Sequence, residues 1–352
     1  MATHPSTPPR VVIADDSAFM RRLLREALAI AGLTVVGEAA VGDEALALCR
    51  RHRPEVLMLD LEMPGRDGMG VLGALGGMDL PTVVVVVSAF SPAHGVRAVD
   101  ALAQNAFDLV AKPEIGMSPI AFLNEVGAKA HAAASASRRP RRAAPAAAVA
   151  PPLAGANGHR ALRGRLPLVV VACSTGGPKA LGELLPKLPR PLGAGMLVVQ
   201  HMPPGFTAAL AARLDRTSLL RVREASDGDV VASDDVLIAP GGSHMHVLPG
   251  GRIALTEDEA PIGGLRPRAD LTIVDAARHF GRRLLLVVLT GMGKDGLDGA
   301  HAVKRAGGQI LVEAESTCSV YGMPRAVSEA NLADAELTLS ALPEAIASAC
   351  AP

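Results

Sequence analysis

Two doubly wound α/β domains, each built on a parallel sheet, are predicted by three features of the 352-residue chain. Short apolar runs alternate with amphipathic segments of helical spacing in both halves. The runs are apolar throughout, as strands buried on both faces must be. An Ala/Pro/Arg-rich stretch with no hydrophobic period separates the halves. The length suits about two domains, and an apolar content of 49% supplies a core for each.

The first half reads in order. "VVIAD" (Val11 to Asp15) is a strand, and "AFMRRLLREALAIAG" is an amphipathic helix stopped by Gly32. "TVVGEA", "EVLMLD", "PTVVVVVS" and "AFDLVAK" are four further strands. "DEALALCRRHRP", "GMGVLGAL", "AHGVRAVDALAQN" and "SPIAFLNEVGAKAHAA" are the intervening and closing helices. Five strands alternating with five helices predict one doubly wound domain over residues 1–128.

Ligands of such sheets sit at the carboxyl ends of the strands. Those ends bring Asp15, Asp16, Asp60, Ser88 and Lys112 to one rim. Hard carboxylate oxygens suit Mg²⁺. A lysine and a hydroxyl beside them can neutralise a phosphoryl group while a carboxylate accepts it. The pattern "ADDS…MLDLEMPGRDG…VSAF…AKP" resembles the CheY-like receiver domain of bacterial response regulators. The resemblance implies that Asp60 is the phosphoacceptor. It also implies that Asp15, Asp16 and Asp60 hold Mg²⁺ with the Glu62 backbone, and that Ser88 and Lys112 contact the phosphoryl group. One position departs from it. Many receivers carry an aromatic switch residue where this chain has Leu109.

From His131 the periodicity fades, and residues 129–165 read as a linker. Its "RRPRR" cluster (Arg138 to Arg142) is a solvated basic hinge or a contact for an acidic partner. The second domain is expected over 166–348. "LPLVVVACS", "GMLVVQH", "VLIAPGG", "LLLVVLTGMGKDG" and "GGQILVE" supply its strands. A hairpin turns at Pro249-Gly250-Gly251, and helices cover Phe206–Leu214, Leu271–Phe280 and Leu297–Arg305.

The rim of this second sheet collects Ser174, His201, His244 and Asp295, each following an apolar run. A hydroxyl needs a base to act as nucleophile, and an imidazole needs a carboxylate to orient it. Each residue also has a structural reading. Ser174 could cap the helix that begins near Pro178, His201 could be a polar loop residue, and Asp295-Gly296 could be a turn. Coincidence at successive run ends favours the chemical reading. The order Ser, His, Asp and the absence of G-x-S-x-G disfavour the α/β-hydrolases, whose order is Ser, Asp, His. Gly176-Gly177 opens a helix, where free N–H groups suit an oxyanion or a phosphate. "TGMGKDG" offers further backbone donors on the same rim. Cys173 as nucleophile, His244 as base and a metal held by His244 and His246 are weaker alternatives.

Together "STGG", "VQHMPPGFT", "APGGSHMHV", "TGMGKDG" and "YGMPR" resemble the catalytic domain of the CheB chemotaxis protein-glutamate methylesterases from about Leu166 to Ser348. The resemblance implies that Ser174 is the nucleophile, His201 the general base and acid, and Asp295 the orienting acid. Thr175 lies beside the nucleophile, and the Met292 N–H is the implied oxyanion donor. A phosphorylation-activated hydrolase follows, which demethylates glutamate methyl esters and deamidates glutamines on methyl-accepting chemoreceptors. A chemotaxis histidine kinase is the implied phosphodonor. Mg²⁺ serves the receiver, and the esterase step needs no cofactor. Ala172-Cys173, Leu265, Ala269 to Ile273, and Val312-Glu313-Ala314-Glu315 depart from the family wording, leaving room for a non-flagellar chemosensory pathway.

Composition narrows the alternatives. Lys+Arg and Asp+Glu balance at 35 each, so no net field favours nucleic acid. No Trp and a single Tyr, Tyr321, leave few platforms for base stacking. No basic helix-turn-helix stretch suggests a DNA-binding regulator. Cys49, Cys173, Cys318 and Cys350 lack metal or disulfide spacing and fit a reducing cytoplasm. "MATHPSTPPR" contains no apolar signal, and no run reaches the length of a membrane span. A cytoplasmic protein without membrane insertion is expected. A receptor-binding module under phosphorylation control is the non-enzymatic alternative, which the complete Ser/His/Asp set opposes.

Overall fold

The computed structural model describes residues 7–89, 92–113, 119–138 and 167–351. The chain divides into two compact units, one on each side of residues 139–166.

The first unit alternates strand and helix throughout. The order is β1 (Arg10–Ala14), α1 (Ala18–Ile30), β2 (Thr34–Ala39), α2 (Gly42–His52), β3 (Val56–Asp60) and α3 (Gly68–Gly76). It continues with β4 (Val83–Ser88), α4 (Pro92–Ala103), β5 (Asp108–Ala111) and α5 (Pro119–Ser137). The five strands are parallel in the order β2-β1-β3-β4-β5. Alternate side chains of the central strands, Val11, Ile13, Met58, Val85, Val87 and Val110, pack with Leu24 and Leu28 of α1 and Phe122 and Val126 of α5. Ser17 caps α1 by accepting the Met20 N–H at 3.4 Å, and Asp67 caps α3 through the Gly70 N–H at 2.9 Å.

Helix α5 corrects the linker boundary drawn at residue 129. Composition hid the helix because its last turns are mostly alanine and serine. Alanine is the strongest helix former, and Val126, Ala130, Ala133 and Ala134 keep one face buried against the core. Arg138 of the basic cluster pairs with Glu55 at 3.2 Å. Arg139 to Arg142 and the rest of the linker reading lie outside the described residues.

The second unit runs β6 (Leu168–Cys173), α6 (Gly177–Leu184), β7 (Gly195–Gln200), α7 (Phe206–Asp215), β8 (Arg221–Glu224), β9 (Asp235–Ile238), β10 (His244–Leu248) and β11 (Arg252–Thr256). Then come α8 (Ala269–Phe280), β12 (Leu284–Val288), α9 (Leu297–Arg305), β13 (Gln309–Glu313), α10 (Met323–Glu329), β14 (Ala335–Leu337) and α11 (Leu342–Cys350). Seven strands form a parallel sheet in the order β14-β13-β12-β6-β7-β9-β8. The edge strands β8 and β14 have no long apolar run, so hydrophobic pattern alone did not reveal them. The hairpin β10–β11 forms at the expected turn but as a separate antiparallel pair.

Chain order in each sheet reverses beside its first strand. In the first unit β1 lies between β2 and β3, and in the second β6 lies between β7 and β12. Such reversals open a crevice at the carboxyl ends of the strands. Helices α8 and α9 pack over β6 and β12, where Ile273, Ala276, Ala300 and Val303 meet Val170, Ala172, Leu286 and Val288. Their approach is closest at Gly299, where an added Cβ would fall 2.6 Å from Ile273 Cβ. Gly299→Ala is therefore expected to destabilise the unit by about 1–3 kcal/mol, exceeding the gain of about 1 kcal/mol in helix propensity. Urea unfolding of the two proteins measures the difference.

Candidate active site

The loop after β6 places Ser174 in the crevice of the second sheet. Helix α6 starts at Gly177 with Gly176 as its cap residue and makes no side-chain cap bond, so the Ser174 hydroxyl is not spent on capping. Ser174 is half-buried, and its backbone is fixed on both sides. Its N–H donates to Thr290 O at 3.0 Å, and its carbonyl accepts from Gly177 N at 2.8 Å and Gln200 Nε2 at 3.0 Å. The same Gln200 amide donates to His201 O at 2.9 Å, and His201 N donates to Cys173 O at 3.1 Å. Buried Gln200 thus ties the loops after β6 and β7 together.

His201 Nε2 lies 2.7 Å from Asp295 Oδ2, with the two side chains 8% and 2% exposed. Asp295 holds more than the imidazole. Its oxygens accept the Ala269 N–H at 2.7 Å and the Asp270 N–H at 3.0 Å, the first two residues of α8. The residue preceding α8, Arg268, makes no side-chain cap bond, so Asp295 performs that task from another segment. Asp270 returns the arrangement. Its Oδ1 accepts the Gly296 N–H at 2.9 Å and the Gly299 N–H at 2.8 Å, at the start of α9. Each carboxylate caps the helix that carries or adjoins the other.

Burial by itself would raise the Asp295 carboxyl. The hydrogen bond and charge of His201 and the Ala269 N–H outweigh it and hold the group well below the usual carboxylate range. An ionised carboxylate only accepts, so the Nε2–H of His201 is the donor of this pair and Nδ1 is turned away from it. Among the described residues no hydrogen bond joins Ser174 Oγ to His201; such bonds are commonly loose without substrate and tighten when it binds.

The loop after β12, which also carries Asp295, flanks the Ser174 loop on the side away from β7. Thr290 Oγ1 donates to Thr175 O at 2.9 Å, and Thr290 N–H donates to Glu313 Oε2 at 2.8 Å. Gly291 sits directly against the serine: an added Cβ would lie 2.9 Å from Ser174 Cβ and 2.3 Å from Met323 Sδ. Met292 is half-buried, and its N–H donates no hydrogen bond among the described residues.

His244 does not join this cluster. It opens the hairpin rather than ending a sheet strand, is fully buried, and has Nε2 3.3 Å from Ala260 O. His246 pairs with Asp275 at 2.8 Å. Neither belongs to a metal-ligand group among the described residues. Cys173 is fully buried, and burial pushes its thiol far above the range of a nucleophile.

The crevice of the first sheet gathers acids. Oxygens of Asp15, Asp16 and Asp60 lie within 4.8 Å of one another. Lys112 Nζ stands 2.9 Å from Asp15 Oδ2 and 2.7 Å from Asp60 Oδ2, and Glu62 N–H donates to Asp60 Oδ1 at 3.2 Å. Ser88 is buried at the end of β4 and its carbonyl accepts the Lys112 N–H at 2.8 Å. Three carboxylates against one lysine leave an excess of negative charge on hard oxygen donors, which fits a divalent cation. Leu109 is buried in β5.

Residues 169–346 match the family model described as CheB methylesterase, and residues 11–118 match the response regulator receiver domain. A protein-glutamate methylesterase/protein-glutamine glutaminase of Symbiobacterium thermophilum is 44% identical over 98% of this chain and 98% of its own. The chain belongs to the CheB methylesterase family. A protein of the same description from Pyrococcus abyssi is 38% identical over 96% of this chain and 92% of its own. The crystal structure of the Thermotoga maritima CheB methylesterase catalytic domain aligns with TM-score 0.50 and 43% identity, covering 53% of this chain and 98% of that one.

Within this CheB-family chain, sequence reasoning overlooked the residues that support the rim. Gln200 was passed over as the residue before His201, although a polar side chain closing an apolar strand was a signal. Arg268 and Asp270 carried none, because only the docking of α8 brings them to Asp295.

Two outcomes test these arrangements. Gly291→Ala crowds Ser174 and is expected to lower kcat for ester hydrolysis about 10²-fold with little change in KM, read by steady-state kinetics. Asp60 behaves oppositely to Asp295: burial, helped by the Asp15 charge, lifts its carboxyl above the usual range despite Lys112. With the folded value above the unfolded one, ionising Asp60 costs stability at neutral pH and nothing below about pH 4. Asp60→Asn should therefore raise the urea midpoint of the receiver unit at pH 7, and the gain should vanish in acid.

Proposed function

We propose that this chain is a phosphorylation-controlled protein-glutamate methylesterase and protein-glutamine glutaminase acting on methyl-accepting chemoreceptors. The observation that carries the reading is the buried His201–Asp295 hydrogen bond between the loops that follow β7 and β12, the two strands flanking the Ser174 strand β6. An oriented imidazole beside a serine is the apparatus of acyl transfer.

Ser174 Oγ attacks the side-chain carbonyl of a glutamyl methyl ester while His201 Nδ1 takes its proton. Asp295 stabilises the imidazolium through Nε2. The Met292 N–H, with Thr175 beside the nucleophile, faces the developing oxyanion. As the tetrahedral intermediate collapses, the ester C–O bond breaks and His201 returns the proton to the leaving methoxide, releasing methanol. Water, deprotonated by His201, then attacks the acyl-serine; Ser174 recovers its proton and a glutamate carboxylate leaves. An amide follows the same path with ammonia as leaving group, which converts glutamine to glutamate.

Asp60 is the phosphoacceptor of the receiver, supplied by a chemotaxis histidine kinase. Asp15, Asp16, Asp60 and the Glu62 backbone would hold Mg²⁺, which offsets charge on the incoming phosphoryl group. Ser88 and Lys112 contact its oxygens. Phosphorylation shifts the population towards the active enzyme. Four buried free cysteines accord with a cytoplasmic location, and no helix among the described residues is long and apolar enough to cross a membrane.

Methanol release from methylated receptor membranes, with and without a small phosphodonor, tests the reading. Ser174→Ala should lose at least about 10³-fold in rate with the fold intact. Asp60→Asn should keep the basal rate and lose stimulation. Methanol release by Ser174→Ala at the wild-type rate sinks the mechanism.

A further inference from the structure

The Arg268 guanidinium lies between two carboxylates behind the His201–Asp295 pair. Its Nη2 is 2.8 Å from Asp270 Oδ2 and its Nε is 3.4 Å from Asp295 Oδ1. Nη1 donates to Ile262 O at 3.2 Å, which anchors the head group. Neither helix cap needs this side chain, since Asp295 and Asp270 supply both. Two neighbouring buried carboxylates do need a cation, because like charges in a water-poor site resist joint ionisation.

Resting on the reading of Ser174, His201 and Asp295 as a hydrolytic triad, we propose that Arg268 is a positioning residue. By neutralising Asp270 beside Asp295, it sets how readily His201 takes up a proton, and so where the acid limb of the pH–rate profile falls. The charged groups facing Asp295 are His201 from the loop after β7, and Arg268 and Asp270 from the start of α8. Asp298, in the first turn of α9, faces Arg268. Arg268 is the permanent cation of this set. Burial and then the Asp295 charge push the Asp270 carboxyl upward, so the pair is already under strain with the arginine present.

The sign of the effect follows from charge. Without Arg268 the negative field at His201 grows, the imidazolium is favoured, and the base is lost at a higher pH. Removing the Asp270 charge acts in the opposite direction. A purely structural role would lower the rate alike at every pH.

The test is methanol release from methylated receptor membranes by full-length protein under a constant phosphodonor, followed from about pH 5 to 9. Arg268→Gln is expected to move the acid limb up by about one pH unit, costing about tenfold in kcat/KM on the limb and less than about threefold on the plateau. Arg268→Lys should restore most of the limb. Asp270→Asn, whose amide oxygen can still accept from Gly296 and Gly299, should move the limb down. The proposal is overturned if Arg268→Gln leaves the limb in place, if both neutral variants move it the same way, or if the rate falls uniformly across pH. Should Arg268→Gln not fold, the sign of the Asp270→Asn shift decides. Ser174→Ala separates the two levels: wild-type methanol release by it defeats the triad itself, whereas an inactive Ser174→Ala with unmoved limbs defeats the Arg268 proposal alone.

Discussion

Asp295 is a carboxylate at 3% exposure, where an unpaired charge would cost several kcal/mol. Two helix termini and an imidazole meet that demand together. The first N–H groups of α8 and the Gly296 N–H before α9 point at Asp295, the Gly296 and Gly299 N–H groups point at Asp270, and His201 Nε2 shares Asp295 Oδ2 with the Ala269 N–H. Removing any one member leaves a buried charge or an open helix end. The α8–α9 contact at Gly299 and Ile273 packs together the two helices whose first turns these acids cap.

Both units place their chemistry at the same topological feature. Where chain order reverses beside β1 the rim is acidic, with Asp15, Asp16 and Asp60 around one lysine. Where it reverses beside β6 the rim holds a serine, an imidazole and backbone donors. The crevice is a property of the sheet, and the residues at its lip decide which chemistry it can support. The opposite shifts of Asp60 and Asp295 show the choice. Asp60 is lifted by burial, helped by the Asp15 charge, while Asp295 is surrounded by donors and lowered.

Much of this was legible in one dimension. "VVIAD", "EVLMLD" and "LPLVVVACS" are buried strands that deliver Asp15, Asp60 and Ser174 to the rims, and apolar runs mark such strands without reference to anything distant. The edge strands β8 and β14 escaped because half-exposed strands of three or four residues have no comparable pattern. The end of α5 escaped because alanine is common to linkers and helices, and only its burial against the sheet separates the two.

The sequence by itself determined the fold class, the two-domain order and the placement of Asp60, Ser174 and His201 at or just after the ends of β3, β6 and β7, because strand periodicity is local; Asp295 lies seven residues past β12, just before α9. Tertiary structure alone decided that His244 leaves the rim for a hairpin, that Gln200 ties the Ser174 and His201 loops, and that Arg268 and Asp270 surround Asp295. The bonds from Gln200 to Ser174 and from Asp270 to Asp295 join residues 26 and 25 apart. The placement of Arg268 and Asp270 beside Asp295 depends on how α8 docks over β6 and β12, and no local pattern encodes that docking.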